Sequence, residues 1–306
     1  METRSALEAR VPDPFTELRP LLFSIAYRML GSASEAEDIV QEAFLRYHRE
    51  TSAGTEVDSP KSYLSAVTTR LCIDHLRSAR VRRESYVGTW LPEPLLTDEE
   101  ADVARHAETA DSLSMGFLVL LERLTPVERA VFLLREVFEY EYPEIASVVG
   151  KSEENCRQIA VRARRQVQAG RPRFEASKAQ REELAHRFIQ AVGEGDVQGL
   201  VGMLAADVVV YADGGGKAAA FPRPIHGRDK VMRLVGGPFA TGERLSVDHM
   251  SFAEINGQPG AVFFDTAGVP VLAVSLDIAD GQVQALHAVT NPEKLAHLRS
   301  TLPADR

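Results

Sequence analysis

Tyr142-Pro-Glu-Ile-Ala-Ser-Val-Val-Gly150, followed by Ser152-Glu-Glu-Asn-Cys-Arg-Gln-Ile-Ala-Val-Arg-Ala-Arg-Arg-Gln166, constrains this chain more than any other stretch. Pro143 suits a first helical turn, where a missing N–H costs nothing. Gly150 supplies a left-handed stop and Ser152 an N-cap, with Glu153 and Glu154 placed favourably beside the new helix start. In the second helix Cys156, Ile159 or Ala160, Ala163 and Val167 form an inward stripe. Arg157, Gln158, Arg162, Arg164 and Arg165 are left for other faces. Two short helices about a glycine turn, the second rich in arginine, read as a helix-turn-helix that enters a DNA major groove. Arginine and glutamine are the side chains that bond guanine and adenine edges in pairs. The plainer alternative is an ordinary helix with a solvated basic face.

At 306 residues the chain has room for two or three domains. No apolar run approaches a membrane span, and the N-terminus lacks a signal-peptide pattern, which makes the cytoplasm the expected compartment. Cys72 and Cys156 fall on apolar faces and read as buried thiols rather than a disulfide or metal site; no metal and no cofactor is expected. The net charge of −9 counts against nucleic acid only as an average. Arg77, Arg80, Arg82 and Arg83 crowd one segment, while acid gathers in Asp98-Glu-Glu-Ala-Asp102 and the C-terminal half. The acidic tract from Asp98 to Glu108 reads as a solvated linker, with electrostatic shielding of the basic surfaces as the alternative.

Three helices are expected before Arg83. The first carries Leu18, Leu21, Leu22, Ile25, Ala26 and Met29 and stops at Gly31. The second is capped by Ser34 and carries Ala36, Ile39, Val40, Ala43, Phe44 and Tyr47. The third opens at Ser59-Pro60. Weakly periodic sequence from Glu84 to about Asp111 contains Trp90-Leu-Pro-Glu-Pro94 and marks a linker. Thr125-Pro126 with Glu128 predicts a capping box ahead of the helix-turn-helix. Beyond Ala176 two helices precede strand-like runs at 208–211, 247–250, 261–264, 271–278 and 283–289, an α+β pattern with a curved antiparallel sheet.

These segments carry a resemblance. Ala36-Glu-Asp-Ile-Val-Gln-Glu-Ala-Phe-Leu-Arg46 is similar to the core-polymerase-binding helix of extracytoplasmic-function (ECF) sigma factors. Tyr63-Leu64 through Ile73-Asp74-His-Leu-Arg77 resembles their downstream-element helix, with Thr69-Arg70 where most members have Arg-Asn and His48 where most have tryptophan. Leu121-Glu-Arg-Leu-Thr-Pro-Val-Glu-Arg-Ala-Val-Phe-Leu-Leu-Arg135 and the helix-turn-helix after it resemble the domain that reads the upstream element. The C-terminal part resembles a SnoaL-like domain of the NTF2-like superfamily. One subgroup of these factors fuses that domain to its C-terminus and carries a Trp-Leu-Pro-Glu-Pro linker, an Asp-Gly-Gly-Gly-Lys turn and an Asn-Pro-Asp/Glu-Lys-Leu tail. Trp90–Pro94, Asp213–Lys217 and Asn291–Leu295 match all three.

The resemblance implies sigma region 2 over 10–84, the linker over 85–113, sigma region 4 over 114–173 and a SnoaL-like regulatory cone over 178–306. It implies core polymerase and promoter DNA as partners, with Asp38, Gln41 and Glu42 on the polymerase face. Arg70, Arg77, Arg80, Arg82 and Arg83 fall to the downstream element, and Arg157, Gln158, Arg162, Arg164 and Arg165 to the upstream element. Asp74 is expected to brace its helix through an ion pair rather than to meet DNA. Trp90, Pro92, Asp213, Lys217, Asn291 and Lys294 are expected to dock the C-terminal domain on the linker and region 2, a contact of regulatory consequence. No catalytic residue is expected. The alternative is an enzyme or a small-molecule sensor in the C-terminal pocket, with Tyr211, Asp213, Asp248, His249 and His287, and more weakly His226, as its acid–base groups. An unidentified small ligand in that pocket suits both.

Overall fold

The computed structural model describes residues 14–83, 86–97, 112–168, 177–235 and 246–300, with the side chains of 79–83 and 300 left out of the description. The acidic tract from Asp98 to Glu108 and Arg171-Pro172 lie outside those residues.

Helices α1 (Pro14–Leu30), α2 (Ala33–Ser52) and α3 (Pro60–Arg83) pack through Leu22, Ile25, Ala26, Val40, Leu64 and Cys72, all nearly or fully buried. Gly31, at φ 68°, ends α1 in the left-handed region that an L side chain avoids. The cap of α2 differs from expectation by two residues. Ser32 occupies it and accepts from the Glu35 amide at 3.2 Å, while Ser34 sits inside the first turn. The two serines are equally good caps by composition, and the tight turn after Gly31 decides between them.

Helices α4 (Met115–Leu121), α5 (Pro126–Glu136), α6 (Tyr142–Val149) and α7 (Glu153–Gln168) form the second helical unit. The Thr125–Glu128 capping box forms as expected. Gly150 takes φ 65°, and the Ser152 hydroxyl accepts from the Asn155 amide at 3.3 Å. Cys156, Ile159, Ala160, Ala163 and Val167 are all buried, so the helix-turn-helix has the stripe its sequence predicts.

The C-terminal unit places α8 (Lys178–Glu194), α9 (Val197–Met203) and α10 (Arg228–Val235) against a six-stranded sheet in the order β2-β1-β6-β5-β4-β3. Its strands are β1 (Leu204–Asp213), β2 (Ile225–His226), β3 (His249–Ile255), β4 (Gln258–Phe264), β5 (Pro270–Ala279) and β6 (Gln282–Val289). A short α11 (Pro292–Leu295) and a 3-10 turn (Ala296–Ser300) follow. The sheet is mixed rather than antiparallel throughout, because β1 runs parallel to β6. A parallel pair needs a long crossover, which the chain from β2 through β5 provides. Sequence periodicity passed over β2 and α10, the first being two residues long.

Candidate functional site: the seam between the units and the DNA-facing helix

The segment Trp90–Leu96 runs between the helical units and the sheet and bonds to both. The Glu93 amide donates to the Gly31 carbonyl at 2.8 Å, and Tyr27 Oη donates to the Glu93 carbonyl at 2.6 Å. The buried Glu93 carboxylate accepts from the Ala33 amide at 2.7 Å, the Ser32 hydroxyl at 2.8 Å and the Ser34 amide at 3.2 Å. A carboxylate thereby seals the N-terminus of α2, where unpaired amides and the helix dipole favour negative charge. Glu93 was not singled out in the sequence, although it sits within the linker motif. The Trp90 ring rests on Gly31, and a Cβ at Gly31 would lie 2.6 Å from Trp90 Cη2.

On the other side, Asp213 at the end of β1 is fully buried. Its Oδ1 accepts from Tyr86 Oη at 2.6 Å and from the Gly215 amide at 3.0 Å. Its Oδ2 accepts from the Leu91 amide at 2.8 Å and from Lys294 Nζ at 2.7 Å. Lys294 also donates to the Leu91 carbonyl and lies over the Trp90 ring at 4.4 Å and the Tyr86 ring at 5.0 Å. Asn291 Nδ2 donates to Tyr86 Oη at 3.1 Å, and Lys217 pairs with Glu293. Burial and the hydrogen bond to Asp213 push the Tyr86 phenol well above its ordinary range. Trp90, Asp213, Lys217, Asn291 and Lys294 are thus brought together, with Pro92 buried beside them. Asp213 forms the ionic centre because it must compensate Lys294, a nearly buried ammonium.

A second junction was not legible in the sequence. Asn256, in the β3–β4 turn at φ 55°, is fully buried. Its Nδ2 donates to Tyr27 Oη at 2.6 Å and to the Leu113 carbonyl at 3.1 Å, while its Oδ1 accepts from the Leu95 amide at 2.9 Å. Leu96 pairs with Ile255 as an added bridge on the β3 side, and His297 Nε2 contacts the Pro94 carbonyl at 2.7 Å. Leu91, Met115, Ile255, Val262, Val289 and Leu295 close an apolar cluster around these bonds.

Helix α4 packs on the same sheet face. A Cβ at Gly116 would come within 2.6 Å of Asp277 Oδ2. His287 stands 3.9 Å from Asp277 and stacks on Tyr211 at 5.2 Å, all beneath α4. Tyr211, Asp213 and His287 therefore belong to this seam rather than to a pocket, which corrects the expectation that groups them as pocket acid–base residues. Strand alternation explains the displacement, since their neighbours Val210, Ala212, Leu286 and Ala288 face the opposite side. Asp248 and His249, 3.2 Å apart, do adjoin the cavity on that side, where the His249 ring stacks on Phe264. His226 lies exposed on β2, outside the residues that line the cavity.

Burial lowers the His287 pKa below its ordinary 6.5, against a smaller opposing effect of Asp277. A histidine depressed in the fold takes up a proton on unfolding, so it destabilises the fold as pH falls below about 6.5, and stability rises with pH through that window. The urea midpoint is expected to drop between pH 7.5 and 5.5, and a His287→Phe chain is expected to show a shallower drop.

The helical surfaces are arranged differently. Asp38 and Gln41 are exposed on α2, while Glu42 is partly covered and bonds Arg46 at 2.7 Å, which lowers its pKa. Exposed Leu45 and Phe15 lie near this acidic stretch. On α3, Arg77 pairs with Asp74 at 3.2 Å. Arg80, Arg82 and Arg83 fall in the last turns of α3, where side chains lie outside the described residues. Arg70 reaches across to α6, donating to the Val148 carbonyl at 2.9 Å and the Ser147 carbonyl at 2.7 Å. Tyr140 Oη meets Ser65 Oγ at 2.7 Å, and buried Arg129 donates to the Met29 carbonyl at 2.6 Å. The two helical units are thus bonded directly to each other.

On α7, Arg157, Gln158, Arg162 and Arg165 are exposed. Arg157 bonds Glu153 at 3.0 Å and lies 5.0 Å from the Tyr142 ring. Arg164 is partly covered and clamps Glu136. Among the described residues no helix is long and apolar enough to cross a membrane.

A helix-turn-helix unit, a second helical unit with an arginine-bearing helix and a fused domain of helices on a six-stranded sheet define a DNA-reading protein with a built-in third domain. Residues 15–82 match the model of sigma-70 region 2, and residues 114–167 match that of sigma-70 region 4. The chain is 37% identical over 292 residues to the ECF RNA polymerase sigma factor SigJ of Mycobacterium tuberculosis, covering 92% of this chain and 91% of that protein. It is 33% identical to the probable ECF RNA polymerase sigma factor SigI of the same organism, covering 93% and 94% respectively. The crystal structure of M. tuberculosis SigJ superposes with a TM-score of 0.75 at 34% identity, covering 92% of this chain and 97% of that one. The chain belongs to the ECF RNA polymerase sigma factors.

Proposed function

We propose that this chain directs core RNA polymerase to its promoters in the cytoplasm, and that its C-terminal domain controls access to the DNA-reading surfaces without turnover of a substrate. Asp38, Gln41 and Glu42 form an acidic and amide face suited to a basic element of the polymerase. Arg157, Gln158 and Arg162 read base edges in the major groove, with Arg164 and Arg165 on phosphates. Arg70, Arg77, Arg80, Arg82 and Arg83 contact the downstream element.

The single observation that carries the control is Arg70. A side chain assigned to promoter DNA is spent on the carbonyls of α6, within the other DNA-reading unit. Two units that read separate promoter elements must part to do so, and here they are bonded together and both tied to the sheet. The arrangement is the closed state of a two-state equilibrium, and the seam through Trp90, Pro92, Asp213, Lys217, Asn291 and Lys294 sets its population.

The DNA assignment is tested by holoenzyme binding to promoter fragments. Arg157→Ala is expected to weaken promoter binding by about 1–3 kcal/mol and to relax preference at one base pair. Arg165→Ala is expected to weaken all sequences alike and to flatten the salt dependence. Equal loss of specificity in both variants would remove the division of roles.

A further inference from the structure

Opposite the seam, the sheet and α8 line a half-open cavity of about 570 Å3. Phe188, Ile189, Val210, Phe263, Val274 and Leu286 give it an apolar wall. A cavity of this size falls in the range of those that bury drug-sized ligands. Its polar lining includes Gln190 and Glu194 at the end of α8, bonded to each other at 2.8 Å, Asp248 beside His249, and Thr290. Glu194 and Asp248 bring negative charge there, which disfavours an anionic head and favours a neutral or cationic one.

The cavity and the seam share a wall. Val210 and Ala212 face the cavity while Tyr211 and Asp213 face the seam, and Leu286 and Ala288 alternate with His287 and Val289 in the same way. Thr290 lines the cavity and donates its hydroxyl to the Asp213 carbonyl at 3.3 Å and the Ala219 carbonyl at 3.1 Å. A molecule pressed against Thr290 and Ala212 thus bears on the backbone that aims the Asp213 carboxylate at Lys294.

We infer that the cavity is an effector site for an apolar small molecule, neutral or with a cationic end, whose occupancy shifts the seam and with it the level of initiation. This rests on the control proposed above for the seam.

The probe is prodan, a neutral, rigid naphthalene ketone, titrated into the full-length chain. Saturable, blue-shifted emission is expected. Val274→Trp and Ala288→Phe fill the space from the sheet side and are expected to weaken prodan at least about tenfold, with circular dichroism and core-polymerase binding serving as folding controls. Decyltrimethylammonium is expected to displace prodan at lower concentration than decanoate does. Asp248→Lys, on the exposed rim, is expected to reverse that order. Emission that does not saturate, or wild-type affinity in both filled variants with folding intact, overturns the site. Saturating prodan is expected to change run-off yield from wild-type holoenzyme and not from the Val274→Trp form. Saturable binding with no change in yield overturns the effector role. Run-off that is indifferent to seam variants as well sinks the control of the seam instead, and leaves the cavity as a binding site alone.

Discussion

Replacing Asp213 by alanine lowers the stability of the chain by about 3–5 kcal/mol, among the largest effects expected of one substitution here. The carboxylate is fully buried and holds Tyr86, the Leu91 amide and Lys294 at 2.6–2.8 Å. Lys294 is a nearly buried residue, 8% exposed in the fold. Losing the carboxylate removes the anion 2.7 Å from its ammonium and leaves the Leu91 carbonyl and two aromatic faces around it. Breaking one side of a buried pair costs more than removing the pair, so Asp213→Leu combined with Lys294→Met is expected to regain most of the loss. Urea midpoints measure the stabilities. The emission of Trp90, the only tryptophan in the chain, reports the seam directly, because its ring lies against Lys294 and Gly31. A red shift is expected in Asp213→Ala before global unfolding. An alanine variant with wild-type midpoint and emission would show that the pair contributes nothing.

Asn256→Leu is expected to cost about 3–5 kcal/mol by a different route. It strands the Leu95 amide and the Leu113 carbonyl, buried groups whose missing bonds cost about 1–3 kcal/mol each. It also puts a branched side chain at φ 55°, where asparagine is tolerated and leucine is not. Asn256→Gly separates the two contributions, since it keeps the left-handed backbone and loses only the bonds. A glycine variant as stable as wild type would assign the whole effect to backbone conformation. Both variants should loosen the first helical unit from the sheet, because Asn256 reaches Tyr27 of α1 through Nδ2.

The parts governed by local rules were legible in the sequence. The Thr125–Glu128 box, the left-handed Gly150 and the stripe from Cys156 to Val167 follow from capping, chirality and helical period alone. Trp90, Asp213, Asn291 and Lys294 were legible as motifs, but composition does not say that Asp213 and Lys294 form one buried pair. Glu93 and Asn256 are not legible locally because their partners lie 59 or more residues away, and a polar residue in a loop carries no period. The parallel placement of β1 beside β6 and the two-residue β2 depend on tertiary pairing, to which a strand pattern is blind. Tyr211 and His287 were grouped with a pocket because histidine and tyrosine suggest acid–base chemistry; which sheet face they occupy depends on register, and a shift of one residue reverses it.

The seam is proposed to hold the two DNA-reading units closed. Run-off transcription with purified core polymerase and a cognate promoter tests it most directly, comparing the full chain with Asp213→Ala at a temperature where both remain folded. Promoter-specific initiation is expected from both, with the higher yield from Asp213→Ala because Arg70 and α6 are freed to part. Equal yields, or a lower yield from a variant that still binds core polymerase as wild type does, would contradict it.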